Sequence, residues 1–475
     1  MKPNPQTIRA HRGVSLLLVV LAVVRAGAAD WPEFLGPTRN CHSPETNLLD
    51  KFPAGGPLLL WEKAIGAGYS APSVRAGKLV VFHRQAQEEV VECLTADAGK
   101  PIWRHAYRST YEDPFGYNNG PRCSPLITSN RVYTFGAEGV LTCLNFDDGK
   151  VVWQRKTALD WRVPEAFFGV GSTPVLEDNR LFVMVGGQPN SGMVALDATT
   201  GKTLWQNVGE KTWTGVTTIG WRAEAPYAWT GEEKQASYST PVLATFDGRR
   251  HLLCFMRQGL VSLNPTNGEV RFSRWFQSVA NDSVNAINPV VDGDTILLSA
   301  AYYRVGSVLL KVNADGKSLD EVWRIPKSPS ERLPEGGFRE PTLELHWSTP
   351  VLHNGFLYAF SGRNEPDATF RCVDIKTGAV KWTRDERWRG HPPRGAKAQP
   401  EVYGRGSAIL ADGKLITLGE GGLLGLVKPN PEKLEEISRF QVPSLSYPCW
   451  AAPALSAGRL YLRSEDRLVC YGLGR

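Results

Sequence analysis

Nine side chains of types that bind ligands are concentrated near short apolar segments, most of them just ahead of one. Arg, Asn, His, Tyr and Trp hold ligands through hydrogen bonds, cation–π contacts and ring stacking. The nine are Asn119, Arg122, Tyr238, Asn285, His346, Trp347, Arg363, Arg405 and Trp450. We predict that they form a binding site for a peptide, a glycan or an anionic small molecule. The alternative is that the Asn and Tyr side chains satisfy buried backbone groups and the Arg side chains are solvated.

The sequence lacks the motifs of the common catalytic and metal centres. It contains no Cys-x-x-Cys-His haem site, Gly-x-Ser-x-Gly, His-Glu-x-x-His or P-loop. The segment that begins at Lys311 is no calcium loop, because Lys311 and Val322 occupy positions that need oxygen ligands. A Ser/His/Asp triad stays open, since its order in the chain varies. We therefore expect a binding protein more than an enzyme, with no metal site and no cofactor.

A repeated phrase predicts the elements that carry these side chains. Each copy opens with Ser-x-Pro or a variant, continues in alternating apolar residues, and closes with a Gly turn and a Trp four residues later. The first copy runs from Ser70 through Gly99 to Trp103, and the third from Ser172 through Gly201 to Trp205. Eight copies of about 55 residues each suit four-stranded propeller blades. The closing aromatic residues are Trp61, Trp103, Trp153, Trp205, Phe272, Trp323 and Trp382.

Two copies depart from the phrase. The seventh, from Gly406 to Asn430, has no closing Trp. The eighth ends at Tyr471 without a closing strand, whereas Leu60-Trp61 forms a closing strand without an opener. We predict an all-β, eight-bladed β-propeller whose last blade is closed by the N-terminal strand. The predicted domains are an extended segment over 30–57 and the propeller over 58–475.

The Trp and Cys residues of the repeat are predicted to be packing residues. The recurring indoles should lie between neighbouring blades, each with its N–H on a fixed acceptor. Cys93, Cys143, Cys372 and Cys470 share one place in four copies, where small buried side chains are expected. A bridge between Cys123 and Cys449, which open the second and eighth copies, stays open as an alternative to free thiols.

The closing phrase from Leu196-Asp197 to Trp205 resembles the tryptophan-docking repeat of quinoprotein alcohol dehydrogenases. Residues 30–475 resemble the exported bacterial proteins with pyrroloquinoline-quinone (PQQ)-binding-like β-propeller repeats, and are similar in repeat type to the propeller lipoprotein of outer-membrane assembly. The resemblance implies the fold, and as the alternative function a PQQ-dependent alcohol or sugar dehydrogenase with calcium. Those dehydrogenases typically carry two adjacent cysteines, and this sequence has none.

The N-terminus predicts export. Residues 1–29 combine basic residues, an apolar run over 14–24 and small residues before Asp30, which is the layout of a signal peptide. No Cys lies at the cleavage point, so we expect a periplasmic or secreted monomer without a lipid anchor or membrane span. Removing the four cations of this leader takes the net charge from +6 to about +2, so no nucleic-acid partner is expected. Aromatic insertions at 213–233 and 328–345 are predicted as a lid, a partner surface or local cover.

Overall fold

A computed structural model describes residues 29–475, except 165–166, 214–233, 278–283, 303–304, 326–342, 365–366, 391 and 397–401. The predicted signal peptide and most of both predicted aromatic insertions lie outside these residues. The described chain forms eight antiparallel sheets of four strands each. This confirms the all-β, eight-bladed propeller. No helix in the described part of the chain is long and apolar enough to cross a membrane.

Blade one contains β2 to β5, and blades two to seven each take the next four strands. The first strand of each blade lies innermost, at the central channel. In chain order the strands are β1 Leu58–Ala64, β2 Ser73–Arg75, β3 Lys78–Gln85, β4 Glu88–Thr95, β5 Pro101–Arg108, β6 Leu126–Ile127, β7 Arg131–Phe135, β8 Val140–Asn145, β9 Val151–Lys156, β10 Val175–Glu177, β11 Arg180–Gly187, β12 Ser191–Asp197, β13 Thr203–Asn207, β14 Val242–Phe246, β15 Arg249–Met256, β16 Gly259–Leu263, β17 Val270–Trp275, β18 Val290–Asp292, β19 Thr295–Ala300, β20 Gly306–Val312, β21 Leu319–Ile325, β22 Val351–His353, β23 Phe356–Ser361, β24 Thr369–Asp374, β25 Val380–Asp385, β26 Gly406–Ala411, β27 Lys414–Gly419, β28 Leu423–Lys428, β29 Glu435–Gln441, β30 Ala454–Ser456, β31 Arg459–Arg463 and β32 Arg467–Gly472. One short helix, α1, covers Thr157–Asp160.

Blade eight joins the two ends of the propeller. Its strand order is β1-β32-β31-β30, so its outermost strand comes from the N-terminal part of the chain. Trp61 of β1 pairs with Cys470 of β32, the same register that pairs Trp103 with Cys93 in blade one. The prediction that the N-terminal strand closes the last blade is therefore confirmed.

The repeated Trp and Gly residues act together between blades. The indole Nε1 of Trp153 donates to the carbonyl of Ala198 in the next blade at 3.0 Å, and that of Trp103 donates to Phe146 at 2.9 Å. Gly201, in the turn that meets Trp153, has φ +71°, and a Cβ there would lie 2.7 Å from the indole ring. The turn requires glycine both for its backbone conformation and for this close approach. This confirms the predicted interblade packing of the Trp residues.

Blade seven lacks the Trp because its neighbour lacks the turn on which a Trp would lie. Ser438 takes the Trp position in β29 and accepts a hydrogen bond from the amide of Phe52 at 3.1 Å. In blade eight the chain runs past β32 to Leu473, whose carbonyl accepts from the amide of Leu49 at 2.8 Å. Residues 47–52 thus fill the space that the Gly turn and the Trp occupy in other blades.

The opening Ser-x-Pro phrase links the innermost strands of neighbouring blades. The amide of Ala71 donates to Ser124 Oγ, and the amide of Ser124 donates to Thr173 Oγ1, both at 3.1 Å. On the other side of the ring, the amide of Asn288 donates to Thr349 Oγ1 at 3.0 Å. Because these groups are buried, each bond satisfies a backbone donor that water cannot reach.

Residues 31–43 close one end of the channel, which the sequence predicted only as an extended segment. Trp31 exchanges backbone hydrogen bonds with Val74 of β2. Farther along, Arg39 Nη2 donates to the carbonyl of Leu176 in β10 at 3.1 Å. The amide of Leu410 in β26 donates to Cys41 at 2.8 Å. The segment therefore crosses the channel where the innermost strands end. We call residues 31–43 the plug.

All eight cysteines are buried, and none of them is in a disulfide. Cys93, Cys143, Cys372 and Cys470 each lie opposite a closing Trp, which confirms their shared place in the repeat. The bridge left open between Cys123 and Cys449 is not formed. The Cys123 thiol donates to the carbonyl of Ser172 at 3.3 Å, and Cys449 Sγ lies 3.1 Å from the carbonyl of Ser446.

Candidate functional site

A cavity of about 190 Å³ lies in the central channel, between the plug and the loops at the other end. Phe34, Leu35 and Cys41 of the plug line its floor. Its walls come from loops that lead into the innermost strands. They are mainly aromatic, through Tyr69, Tyr117, Phe168, Tyr238, Tyr302, Trp347 and Trp450.

Six of the nine predicted site residues line this cavity, brought together by loops of five different blades. The loops that carry them vary in length, but each ends at the start of an innermost strand, so the propeller's symmetry makes them converge. The six are Arg122, Tyr238, His346, Trp347, Arg405 and Trp450.

Arg405 and Glu420 form a buried ion pair in the wall. Their side chains are 7% and 0% exposed, with Nη2 of Arg405 3.0 Å from Oε2 of Glu420. The same Oε2 accepts from the indole Nε1 of Trp450 at 3.0 Å. Oε1 accepts from the backbone amide of Arg405 at 2.8 Å. Glu420 therefore fixes both the guanidinium and the indole that face the cavity.

His346 is a neutral imidazole in this wall. Nη1 of Arg405 donates to its Nδ1 at 3.0 Å, and a guanidinium has no acceptor, so Nδ1 must be unprotonated and the proton sits on Nε2. Burial, reinforced by the charges of Arg405 and Arg363, holds the pKa of His346 well below its usual value. The imidazole therefore presents an N–H donor without a positive charge throughout the neutral pH range.

The charge of Arg122, on the opposite side of the cavity, is balanced by a carboxylate, as the charge of Arg405 is. Its Nη2 lies 2.7 Å from Oδ2 of Asp113, whose side chain is fully buried. Its guanidinium also lies 5.7 Å from the ring centre of Tyr69 and 5.3 Å from that of Tyr111. A carboxylate thus accompanies each of the two guanidinium groups that line the cavity.

Two polar atoms of cavity-lining residues are buried without a hydrogen-bond partner among the described residues. They are Nε1 of Trp347 and Oγ of Ser407. A buried group that lacks its partner costs about 1–3 kcal/mol. A ligand that supplied an acceptor to the indole and a hydroxyl partner to the serine would recover part of that free energy.

The other three predicted residues lie outside the cavity lining. The amide nitrogen of Asn285 donates to the carbonyl of Met256 at 2.8 Å, which is the backbone role that the sequence left as the alternative. Oδ1 of Asn119 accepts from the amide of Asp113 at 2.8 Å and so holds the Arg122 partner in place. Arg363 stacks over Tyr302 at 4.7 Å, and its carbonyl accepts from Arg405.

Sequence reasoning missed several residues of the site. Tyr69 immediately precedes the Ser of the first opening phrase, the place equivalent to Tyr238, and comparison of the two copies would have found it. Glu420 lies in the turn between β27 and β28, which no repeated feature marks. Phe34 and Leu35 belong to a segment that does not repeat.

A further buried carboxylate, Glu386, should make stability depend on pH. Its Oε2 accepts from the amide of Tyr403 at 2.7 Å. Burial raises its pKa to about 7, although Arg384 and Arg439 oppose the shift and Glu436 adds to it. Because the folded state favours the protonated form, stability should be highest below the unfolded pKa and fall as pH rises to about 7. Between pH 5 and pH 8 we expect the free energy of unfolding to fall by about 3 kcal/mol at most because of Glu386. The Glu386→Gln variant should not show this fall. Urea unfolding at the two pH values measures it.

The exposed Glu62 gives the matched control. Glu62→Gln should keep the pH dependence of the unfolding free energy unchanged. If the unfolding free energy of Glu386→Gln depended on pH as that of the parent protein does, Glu386 would not be the cause.

Comparisons with known proteins agree with this fold. Residues 87–384 match the family described as outer membrane protein assembly factor BamB. The chain is 22% identical over 385 residues to tetrathionate hydrolase of Acidithiobacillus ferrooxidans, a match covering 73% of this chain but only 63% of that protein's length.

Two solved structures share the architecture. Quinohemoprotein alcohol dehydrogenase of Pseudomonas putida superposes with a TM-score of 0.61 at 13% identity, over 94% of this chain and 80% of that one. BamB of Moraxella catarrhalis superposes with a TM-score of 0.53 at 12% identity, over 87% of this chain and 97% of that one. The predicted relation to PQQ-like repeat propellers is confirmed. Since the family match covers more than half of its length, the chain belongs to the family described as outer membrane protein assembly factor BamB.

Proposed function

We propose that this protein is a non-enzymatic binding protein of the cell envelope, which takes a protein, peptide or glycan partner at the mouth of its central channel. The observation that carries the proposal is the aromatic cavity closed by the plug, into which six of the predicted residues converge. Concave aromatic sites with a few fixed polar groups are typical of ligand binding. Export as a soluble periplasmic or secreted monomer, after removal of residues 1–29, is part of the same proposal.

The family supports a partner-binding role by its name, which describes an assembly factor for outer-membrane proteins. A propeller of this kind offers a rigid frame, because interblade hydrogen bonds fix the loops that form the rim. A rigid rim loses little conformational entropy on binding.

The second candidate is a PQQ-dependent dehydrogenase, favoured by the likeness to a quinohemoprotein alcohol dehydrogenase. The residues at the cavity do not fit that group. A calcium ion needs several oxygen ligands, but the carboxylates beside the cavity are each bound to an arginine: Asp113 to Arg122, Glu420 to Arg405, and Glu465, which also accepts from Tyr69, to Arg394. No group of three His, Cys, Asp or Glu able to hold a metal occurs in the described parts of the chain. PQQ is itself a tricarboxylate, and both guanidinium groups are already neutralised.

The test compares residues 30–475 with a Trp450→Ala variant, each immobilised and exposed to solubilised cell envelope. We expect a protein or glycan to be retained by the parent and lost with Trp450→Ala, because Trp450 forms part of the cavity wall. Leu204→Ala, on the exposed outer strand of blade three, should retain it.

Equal retention by the parent and the Trp450 variant would contradict binding at the channel mouth. Stabilisation of the parent by PQQ with Ca²⁺, about 2.7 kcal/mol at one hundred times the dissociation constant, would support the dehydrogenase instead.

A further inference from the structure

We propose that the cavity recognises uncharged sugar rings of a glycan chain, with the rings stacked on its aromatic walls and their hydroxyl groups bonded to His346, Trp347 and Ser407. This rests on the proposed function and specifies its ligand.

Each guanidinium group of the described cavity lining is paired with a carboxylate. Arg122 is paired with Asp113 at 2.7 Å, and Arg405 with Glu420 at 3.0 Å, with both carboxylates fully buried. His346 accepts from Arg405 and is therefore neutral. A charged ligand would leave water for a site with no net opposite charge, which is unfavourable. An uncharged ligand avoids that desolvation cost.

The polar groups that remain at the cavity suit hydroxyl groups. His346 offers an Nε2–H donor, and Nε1 of Trp347 is a buried donor without a partner among the described residues. Ser407 Oγ, likewise unpartnered there, both donates and accepts. A hydroxyl group accepts from an N–H while donating elsewhere, so sugar hydroxyls match the donor and acceptor types of these three groups.

Backbone groups at the same place are already occupied, which disfavours an extended peptide. The amides of Ala71, Ser124 and Thr240 donate to side chains of neighbouring blades. A peptide held by main-chain hydrogen bonds would need such groups to be available. Recognition by side chains and ring faces is therefore favoured.

The aromatic surface continues from the cavity to the outside. Trp450 lies 5.0 Å from Tyr69 and 5.5 Å from Tyr117 between ring centres. Phe168 continues the line at 5.6 Å from Tyr117, and Phe115 follows at 5.0 Å. Tyr117 and Phe115 are 40% and 53% exposed. Apolar faces of successive sugar rings can lie along such a track, so the ligand should extend beyond one ring.

The experiment titrates residues 30–475 with oligosaccharides by calorimetry and tryptophan fluorescence. The neutral probes are hexamers of maltose, cellulose and N-acetylchitin type, together with the dimers. The charged probes are chitosan hexamer, which has the same backbone as the N-acetylchitin hexamer but carries amines, and hexagalacturonate. We expect at least one neutral hexamer to bind, and both charged hexamers to bind at least about ten-fold more weakly than it.

Three variants separate the steps of the argument. Trp347→Phe keeps a ring but removes the N–H, and should weaken binding of the neutral probe by about five-fold. Phe115→Ala should weaken binding of the hexamer and leave the dimer unchanged, because only the longer probe reaches the exposed end of the track. Leu204→Ala should change neither.

Absence of binding by all neutral hexamers at 10 mM (about 100 times a typical weak glycan dissociation constant) would overturn the proposal. So would tighter binding of a charged hexamer, or an equal loss for dimer and hexamer in Phe115→Ala. If the sugars fail while Trp450-dependent retention of a protein from the envelope persists, the proposed function stands and only the ligand class is wrong. If both fail, the proposed function fails as well.

Discussion

Replacing Arg463 with Met is expected to lower the free energy of unfolding by more than about 4 kcal/mol. The side chain is 1% exposed and lies at the end of β31 in blade eight. Its Nη1 donates to the carbonyls of Ser70 and Phe82, at 3.1 and 3.2 Å, and its Nη2 donates to Gly66 at 3.2 Å. These acceptors belong to blade one and the segment before it. Met would leave these buried carbonyls without the donors that link blade eight to blade one.

Chemical denaturation followed by tryptophan fluorescence measures this effect. Arg463→Lys keeps the charge but offers fewer donors in a different geometry, so it should fall between Met and the parent. Arg108→Ala, at an exposed position at the end of β5, is the control and should change the unfolding free energy by less than about 0.5 kcal/mol. An Arg463→Met protein with parental stability would show that the carbonyls find other partners.

Replacing Glu420 with Gln should destabilise the protein by about 3–5 kcal/mol, since it leaves the buried charge of Arg405 without its counterion. The carboxylate of Glu420 accepts from the guanidinium and the backbone amide of Arg405 and from the indole of Trp450. The glutamine side chain has only one oxygen and cannot satisfy all three donors. The cavity would also gain a net positive charge. Urea unfolding measures the loss, and titration with hexagalacturonate measures the change in charge preference.

A double variant isolates the charge effect. Arg405→Met with Glu420→Gln removes both partners, so it should recover about half of the stability lost in Glu420→Gln alone. The exposed pair Arg104 and Glu88, at 46% and 53% exposure, supplies the control. Glu88→Gln should cost less than about 1 kcal/mol. No recovery in the double variant would assign the loss to the hydrogen bonds of Glu420 instead of to an unpaired charge.

The fold was predictable because each blade repeats one solution to the same packing problem. The Gly turn and the Trp appear together in the sequence because a Cβ at Gly201 would collide with Trp153. The place of Leu60-Trp61 was predictable because the eighth copy lacked a closing strand and these residues formed a closing strand without an opener. The loops before the innermost strands were also identifiable, and six of their side chains converge on one cavity.

What does not repeat could not be predicted. The plug touches strands of several blades through contacts such as Arg39 to Leu176, which are distant in the chain and follow no period. Glu420 has the appearance of an ordinary turn residue, and only the position of Arg405 reveals its role. From their residue types alone, Asn285 and Arg122 were equally plausible as ligand-binding residues. Burial and partners, which only the tertiary structure supplies, place Asn285 on backbone carbonyls and Arg122 at the cavity.

The plug and β1 also determine the order in which the molecule can fold. During synthesis they emerge before the blades, yet Glu45, just after the plug, accepts from the amide of Gly458, 413 residues later, and β1 pairs with β32. Strand β1 must therefore wait, unpaired, until β32 of the final blade has formed. Contacts so distant in the chain slow folding, and the open ring would meanwhile expose strand edges that favour aggregation. The last step of folding is thus a closure that requires both ends of the chain at once.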